Sequence, residues 1–326
     1  MTKTIHSRTF IVAAIVLLVV GFALGPTVEI DDTLKPVTLP AKTADLDHYL
    51  QQQEQQYNDI VPGAEKTIIW TDPKRRLRTP VSLVYLHGYA ASRQELAPLC
   101  DIVARELGAN LYYQRLTGHG RDSQAMAEIS VNALVNDANE ALQIGKRLGE
   151  KVILIGGSTG ATLATIIAAR DSSHSLASLV LISPNFGPKR PESELLLWPW
   201  GNVMLQIVEG STYSFETYNE QHARYWSHKS PSKALLPMMG IVDLARKTDL
   251  AQLQTPVLVF YSPQDEVVST EAIKQHYERF GAAHKNIHPV ANSGDPQHHV
   301  LAGDILSSQT TKEMADEIIR FVQPLL

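Results

Sequence analysis

The feature that most constrains this chain is an apolar strand that runs straight into a glycine-rich turn and then an apolar helix. Residues 152–155 (Val-Ile-Leu-Ile) are typical of a short buried strand. The next five residues are Gly-Gly-Ser-Thr-Gly, and an apolar run with helical composition continues to Ala169. Strand, G-x-S-x-G and helix in immediate succession form the context of a nucleophile elbow. The pattern predicts that Ser158 is a nucleophile, with an ordinary glycine-rich turn as the alternative.

The chemistry of such a turn explains its glycines. A serine at the tip of a strand-to-helix turn takes a strained backbone conformation with positive φ, and side chains two positions away would crowd it. Gly156 and Gly160 remove that crowding. A helix that starts near Thr159 then directs its free N–H groups and its dipole at the charge that develops on an acyl carbonyl oxygen.

Composition excludes several classes of protein. The 326 residues, 44% of them hydrophobic, are enough for one large globular domain with a sizeable core. A formal charge of -5 gives no basic footprint of a nucleic-acid binder. Cys100 is the single cysteine and the histidines are scattered, so the sequence predicts neither a disulfide nor a metal site, and no organic cofactor is expected.

The N-terminus is predicted to be a membrane anchor, residues 1–28. No charged residue occurs from 9 to 28, and at about 1.5 Å per residue such a helix would cross a hydrocarbon layer of ~30 Å. Lys3 and Arg8 precede the run and Glu29 follows it, which places the N-terminus in the cytoplasm and the rest of the chain on the extracytoplasmic side, the periplasm in a cell with two membranes. A cleaved signal peptide, which would make the protein secreted, is the alternative; Pro26 disfavours cleavage after the small residues before it.

The rest of the chain is predicted to be α/β. Residues 29–64 form a linker with a short surface helix, and the main domain spans 65–326. Strands are predicted at 66–71, 81–86, 111–116, 152–155, 179–183, 257–261 and 285–290, and helices at 92–107 and 130–148. Ser92 and Glu95 are interpreted as a capping box for the first of these helices. Apolar strands alternating with helices indicate a mainly parallel sheet with helices on both faces.

Residues 184–250 break the alternation. This segment holds several aromatic residues and is too long for a plain connection, so it is predicted to be a mostly helical cap inserted after the strand at 179–183. The aromatic residues could simply build the core of the cap itself. An apolar insertion over a strand terminus is also where an acyl chain could lie.

The motifs together resemble the α/β-hydrolase superfamily, above all its lysophospholipase, monoacylglycerol lipase and carboxylesterase members. They are G-x-S-x-G at 156–160, His87-Gly88 after a strand, and Gly118-His119-Gly120. The resemblance covers roughly residue 66 to the C-terminus. It implies the α/β-hydrolase fold and a triad in the order nucleophile, acid, histidine.

The resemblance assigns the other two members of the triad. Asp265 follows the strand at 257–261, as the acid of the family does, with Glu266 as the competitor. His299 is favoured as the base over its neighbour His298 because apolar residues follow it, as at the start of the short helix that the family has there. His288 lies on the preceding strand, where a packing role is expected.

The resemblance also implies an oxyanion hole of two backbone N–H groups. One belongs to Thr159, just after the nucleophile, and the other to Tyr89, after His87-Gly88. His87 is expected to hold this turn by a hydrogen bond.

The function implied is a serine hydrolase that cleaves carboxylic esters, such as acylglycerols or lysophospholipids, through an acyl-enzyme. The predicted anchor and apolar cap favour lipid-derived substrates. Two alternatives stay open: a peptidase or thioesterase that uses the same triad, and a non-catalytic binding or sensor protein on the same fold.

Overall fold

The computed structural model describes the backbone of residues 2–326 and the side chains of residues 13–326. In this part of the chain seven strands form one sheet in the order β1-β3-β2-β4-β5-β8-β9, in which only β1 is antiparallel to its neighbour. The strands are β1 Thr67–Ile69, β2 Thr79–Leu86, β3 Asn110–Tyr113, β4 Gly149–Gly157, β5 Leu176–Ile182, β6 Thr212–Ser214, β7 Lys229–Pro231, β8 Val257–Tyr261 and β9 Lys285–Pro289. The predicted mainly parallel α/β architecture is confirmed.

Helices cover both faces of the sheet. They are α1 Thr2–Ala23, α2 Leu46–Glu54, α3 Leu99–Leu107, α4 Val131–Leu148, α5 Thr159–Arg170, α6 Gly201–Val208, α7 Glu220–Tyr225, α8 Leu235–Lys247, α9 Thr270–Arg279 and α10 Ser308–Val322. The apolar residues of α4, α5 and α8 form one core with one face of the sheet, and those of α3 and α10 form a second core with the other face. Burial on both faces explains why the central strands are apolar at every position.

The capping box predicted at Ser92 and Glu95 is wrong. A 3-10 turn occupies Arg93–Glu95, and the α-helix begins only at Leu99. Pro98 has no N–H to donate to a preceding turn, so a continuous helix from residue 92 would lose a hydrogen bond there. The Glu95 side chain turns into the interior instead of reaching back to Ser92.

The insertion between β5 and β8 has two parts. Its first part, residues 184–234, contains α6, α7, short 3-10 turns and the antiparallel pair β6–β7, and we call it the cap. Its second part, α8, packs against α5 and α4 and so belongs to the helix layer that covers that face of the sheet. No helix starts directly after His299, where the family resemblance places one; α10 begins at Ser308.

The N-terminal region is a helix followed by a segment held against the body. Within the residues whose side chains the structure describes, no helix is long and apolar enough to span a lipid bilayer. Part of the anchor predicted at residues 1–28 lies outside the residues whose side chains the structure describes. The anchor therefore stays a prediction.

The segment after α1 is extended but pinned. The Arg170 guanidinium contacts the Asp32 carboxylate, and the Asn136 side chain bonds both Thr33 O (3.0 Å) and Lys35 N (2.7 Å). These contacts tie the connection to α4 and α5. The segment is therefore part of the folded domain rather than a loose tether.

Candidate active site

Three of the predicted site residues lie at the same edge of the sheet. Ser158 follows β4, Asp265 follows β8 and His299 lies beyond β9. The carboxyl ends of parallel strands meet at one edge of a sheet, and ligands of open α/β folds bind there. The topology thus brings together residues that are far apart in sequence.

Ser158 occupies the strained turn that the glycines allow. Its φ is 48° and its ψ is -117°, between the last residue of β4 and the first of α5. A Cβ atom on Gly160 would lie 2.1 Å from Leu86 O, and one on Gly156 would lie 2.5 Å from the backbone of Ala161. Both glycines are required because backbone atoms, which cannot move aside, occupy the space of a side chain.

The hydroxyl, the imidazole and the carboxylate form one hydrogen-bonded chain. His299 Nε2 lies 2.9 Å from Ser158 Oγ, and His299 Nδ1 lies 2.8 Å from Asp265 Oδ2. The second carboxylate oxygen of Asp265 accepts from the N–H groups of Val267 and Val268, each at 2.8 Å. Asp265 is fully buried and Ser158 is 9% exposed. Three groups in this order can move a proton from the hydroxyl to Nε2 while the carboxylate stays ionised.

The structure separates the two pairs of neighbouring candidates. Glu266 is exposed, with its backbone N–H bonded to Gln297 O, whereas Asp265 points inward at His299. His298 has a positive φ of 54°, and its Nδ1 is buried without a partner among the described residues. Only His299 of the two imidazoles contacts Ser158. His288 lies on β9 with its ring 5.5 Å from that of Phe260, in agreement with a packing role.

Burial and nearby carboxylates have opposite effects on the pKa of His299. Burial lowers the pKa of this imidazole, but the carboxylates of Asp265, Asp295 and Glu95 together outweigh it, so the pKa of His299 is raised above its ordinary value. The same carboxylates can stabilise an imidazolium at this position.

Asp295, which sequence reasoning missed, fixes the backbone of the histidine loop. Its buried Oδ2 accepts from the N–H groups of His299 (2.9 Å) and Val300 (2.8 Å). Ser183 Oγ donates to the carbonyl of His299 at 2.7 Å. The sequence gives one signal for this role: an aspartate followed by proline, a combination that forms turns.

Tyr89 and Thr159, the two expected oxyanion donors, lie in the turn after β2 and at the start of α5. The N–H groups of Tyr89 and Thr159 donate no hydrogen bond within the described residues, and Thr159 is the first residue of α5. Both N–H groups are thus available to an anion. A Cβ on Gly88 would lie 3.1 Å from Ser158 Cβ, so the turn that carries Tyr89 passes directly beside the nucleophile.

Glu95 holds that turn from behind. Its Oε2 accepts from Gly88 N–H at 2.8 Å and from the Tyr85 hydroxyl at 2.6 Å. A Cβ on Gly157 would lie 2.8 Å from the same oxygen, so the carboxylate fills the space between the Gly88 turn and the end of β4. Burial raises the pKa of Glu95, and its two hydrogen bonds oppose that shift. The sequence did not indicate this role of Glu95, because the Ser-x-x-Glu spacing also fits a capping box.

His87 stabilises the same turn from the other side. Its Nδ1 bonds Gly88 O at 2.9 Å, and its Nε2 accepts from Leu116 N at 3.1 Å. Burial, followed by His119, keeps the pKa of His87 well below its ordinary value, so the ring is neutral. This arrangement agrees with the expected structural role of His87.

The cap covers the turn that carries Tyr89. Ser227 N donates to Ala90 O at 2.7 Å, which joins the cap directly to this turn. In the described part of the chain, buried side-chain atoms near the nucleophile and in the cap have no hydrogen-bond partner, among them Thr159 Oγ1, Asn185 Oδ1 and His228 Nδ1. Asn185 also donates its backbone N–H to Ser158 O at 3.2 Å. These groups can bind polar atoms of a substrate. The described residues contain no group of side chains suited to hold a metal ion.

Comparisons with known proteins place this geometry in context. A family model described as serine aminopeptidase, S33, matches residues 79–293. Similar solved structures include one from a study of two metagenome-derived lipolytic enzymes, LipS and LipT (19% identity, 81% of this chain and 99% of that chain, TM-score 0.68). Another is a monoacylglycerol lipase from Paleococcus ferrophilus (18% identity, 80% and 100%, TM-score 0.58).

A third is a soluble variant of monoglyceride lipase from Saccharomyces cerevisiae in complex with a substrate analogue (11% identity, 80% and 91%, TM-score 0.55). At these identities the likeness shows a shared fold. A search of curated protein sequences finds no match.

Proposed function

This chain belongs to the serine aminopeptidase S33 family of α/β-hydrolases, and we propose that it hydrolyses carboxylic esters through an acyl-enzyme on Ser158. The observation that carries the proposal is the chain of two short contacts, Ser158 Oγ to His299 Nε2 (2.9 Å) and His299 Nδ1 to Asp265 Oδ2 (2.8 Å). A free serine hydroxyl is a poor nucleophile, and this arrangement supplies the base that activates it.

The proposed acylation step follows from the geometry. Ser158 Oγ attacks the acyl carbon while its proton passes to His299 Nε2, and Asp265 stabilises the imidazolium without taking the proton. The N–H groups of Tyr89 and Thr159 bind the oxyanion of the tetrahedral intermediate. The intermediate then expels the alcohol, which leaves with the proton from Nε2, and the acyl group stays on Ser158.

Deacylation repeats the sequence with water. Water attacks the acyl carbon, its proton moves to His299 Nε2, and collapse of the second intermediate returns that proton to Ser158 Oγ. The products are a carboxylic acid and the free enzyme. Every proton that moves passes through one imidazole nitrogen.

The substrate is proposed to be an ester of a lipid-derived acyl group. The cap carries no charged residue from 195 to 208, and such an apolar stretch favours a lipid-derived substrate over a charged one. The unpartnered oxygens of Thr159 and Asn185 can bind the hydroxyl groups of an alcohol such as glycerol. The monoacylglycerol lipases with the same fold make this class of ester the first to test.

The family description names an aminopeptidase, which is the second candidate activity. An aminopeptidase must neutralise the ammonium group of its substrate next to the scissile bond, and a buried ammonium needs a carboxylate partner. Glu95 and Asp295 are the buried carboxylates beside the triad other than Asp265, and both already accept backbone N–H bonds. This occupation favours the ester over the peptide.

The test compares substrates on the purified full chain in detergent. A fluorophosphonate probe and p-nitrophenyl esters of increasing acyl length are set beside aminoacyl p-nitroanilides, with Ser158→Ala as the control. We expect labelling and ester turnover, both lost in the variant. Labelling without turnover of any ester would instead favour the sensor, and turnover of the anilides alone would favour the aminopeptidase.

We further propose that α1 attaches the domain to a membrane, with the catalytic domain on the extracytoplasmic side. Support comes from the exposure of apolar side chains on its described part: Leu17 and Leu18 are 72% and 74% exposed, and Leu24, just after the helix, is 80% exposed. Carbonate extraction of membranes tests it: the full chain is expected in the pellet, and recovery in the soluble fraction contradicts attachment.

A further inference from the structure

The exposed apolar side chains of the cap are concentrated in one short stretch. Residues 195–208 contain no charge, although residues on both sides of the stretch are charged. Six of its large apolar side chains are exposed, and we call them the cap patch: Leu195 (38%), Trp198 (52%), Trp200 (40%), Val203 (44%), Ile207 (78%) and Val208 (79%). Contiguous apolar surface of this kind marks an interaction site in a soluble protein domain.

The way α6 packs explains why the patch stays exposed. Of its eight residues only Gly201 and Leu205 are buried. Leu205 is the one large side chain of the helix that is buried, and Ile207 and Val208 are largely exposed. No described residue covers these two side chains.

The cap patch is continuous with the end of the N-terminal helix. The Trp200 indole Nε1 donates to Phe22 O at 3.1 Å, and Trp200 N donates to Pro26 O at 2.9 Å. The rings of Phe22 and Trp198 meet edge to face with centroids 6.4 Å apart. A Cβ on Gly25 would lie 2.1 Å from Trp200 Nε1, so glycine makes this close approach possible.

We propose that the cap patch lies on the surface of a lipid bilayer, beside the point where the N-terminal helix meets it. This inference rests on the proposed hydrolysis of lipid esters and extends it from the substrate to the surface that presents the substrate. Two half-exposed tryptophans next to uncharged aliphatic residues suit the boundary between headgroups and acyl chains. The exposed apolar residues of α1 that adjoin the patch also favour lipid over water.

The geometry also connects the patch to the nucleophile. The helix α6 packs against the short 3-10 turn Ser232–Ala234, and the same cap joins the Tyr89 turn through Ser227 N and Ala90 O. The bilayer face and the wall beside the oxyanion donors thus belong to one small unit.

The four tryptophans make a direct test possible. Trp198 and Trp200 are in the patch, whereas Trp70 and Trp226 are only 9% and 7% exposed. The full chain is reconstituted into phosphatidylcholine vesicles whose acyl chains carry bromine, which quenches indole fluorescence on contact. We expect quenching in the parent protein and its loss in Trp198→Phe/Trp200→Phe, compared with vesicles of unbrominated lipid.

A pair of variants separates docking from folding and from catalysis. Ile207→Lys/Val208→Lys puts two charges in the patch, and Leu77→Lys is the matched control, since Leu77 is 61% exposed just before β2, at the opposite edge of the sheet. A lysine charge that must enter the acyl-chain region of the bilayer is unfavourable. We expect the double variant to lose about tenfold in the hydrolysis of a monoacylglycerol embedded in vesicles and to keep its rate on soluble p-nitrophenyl acetate. The control should keep both rates.

Each failure has its own signature. Equal tryptophan fluorescence with and without bromine overturns the docking proposal. Equal loss of vesicle-substrate hydrolysis in both lysine variants overturns it as well. Turnover of soluble esters in the same experiments leaves the hydrolase function standing. A dimer in analytical ultracentrifugation that only the patch variant dissociates also overturns it, because a second copy then covers the patch. Absence of turnover on every ester in the parent protein overturns the proposed function itself.

Discussion

The three side chains of the triad and the cap above them differ in how completely their polar groups are paired. At the edge, both oxygens of Asp265 and both ring nitrogens of His299 have partners, and Asp295 holds the loop between them. In the cap, His228 Nδ1 is buried without a partner among the described residues, and six large apolar side chains face solvent. A satisfied buried network specifies one arrangement of the triad side chains. The cap, by contrast, keeps the exposed apolar surface that the proposed membrane contact would use.

The largest expected effect tests whether the edge is as specific as its hydrogen bonds indicate. His299→Ala removes the proposed base, and we expect kcat on p-nitrophenyl esters to fall by about 10⁴-fold or more, because a triad acts as a unit. His298→Ala is the matched control, one residue away and without contact to Ser158, and should keep most of the activity. Comparable losses in both variants would show that the loop, rather than one imidazole, matters.

The next effect sharpens the role of the buried carboxylate. Asp265→Asn should lower kcat by about 10⁴-fold, since the amide no longer fixes the tautomer of His299. The carboxylate raises the pKa of His299, so the rising limb of the parent pH–rate profile should lie above ~6.5, where the base becomes neutral, and should move to lower pH in the variant. Glu266→Gln is the control and should leave the limb in place.

A third prediction compares the two regions by stability. Ile155 is fully buried in β4 and Ile207 is 78% exposed on α6. Ile155→Ala should lower the free energy of unfolding by about 2–5 kcal/mol, and Ile207→Ala should change it by less than about 0.5 kcal/mol. Urea unfolding of the parent protein and of each variant in detergent gives both values. A large loss for Ile207→Ala would mean that the cap patch is packed rather than free.

The smallest effect concerns Glu95, which supports the Gly88 turn. Glu95→Ala leaves Gly88 N–H and the Tyr85 hydroxyl buried without an acceptor, and each such group costs about 1–3 kcal/mol. We expect kcat to fall about 10–100-fold with little change in KM, because the loss falls on the oxyanion donors. Glu95→Gln keeps an acceptor oxygen and should lose much less. Equal losses in the two variants would point to the charge of Glu95 instead of its hydrogen bonds.

The same contrast explains what could be predicted from the sequence. The elbow was predictable because its strand, glycines, serine and helix are contiguous and local sterics dictate the glycines, as the 2.1 Å approach at Gly160 shows. The mainly parallel sheet followed from strands that are apolar at every position. Asp265 and His299 came from a resemblance, because nothing local in either loop requires them.

Other features needed the tertiary structure. Glu95 has the spacing of a capping box, and only the interior position of Gly88 shows which N–H group it binds. The cap patch could not be predicted, because apolar residues in a sequence indicate burial and here they are exposed. The assignment of α8 to the helix layer depends on its contact with α5, which no periodicity reveals.

The segment pinned by Arg170 and Asn136 has a kinetic consequence. A hydrolase on a loose tether samples a volume, whereas one fastened within a few residues of α1 can search only a plane if α1 is the proposed membrane anchor. On vesicles, its rate would then follow the mole fraction of ester among the lipids and would not change when the suspension is diluted at constant composition. Surface dilution with an inert lipid, by contrast, would slow it in proportion.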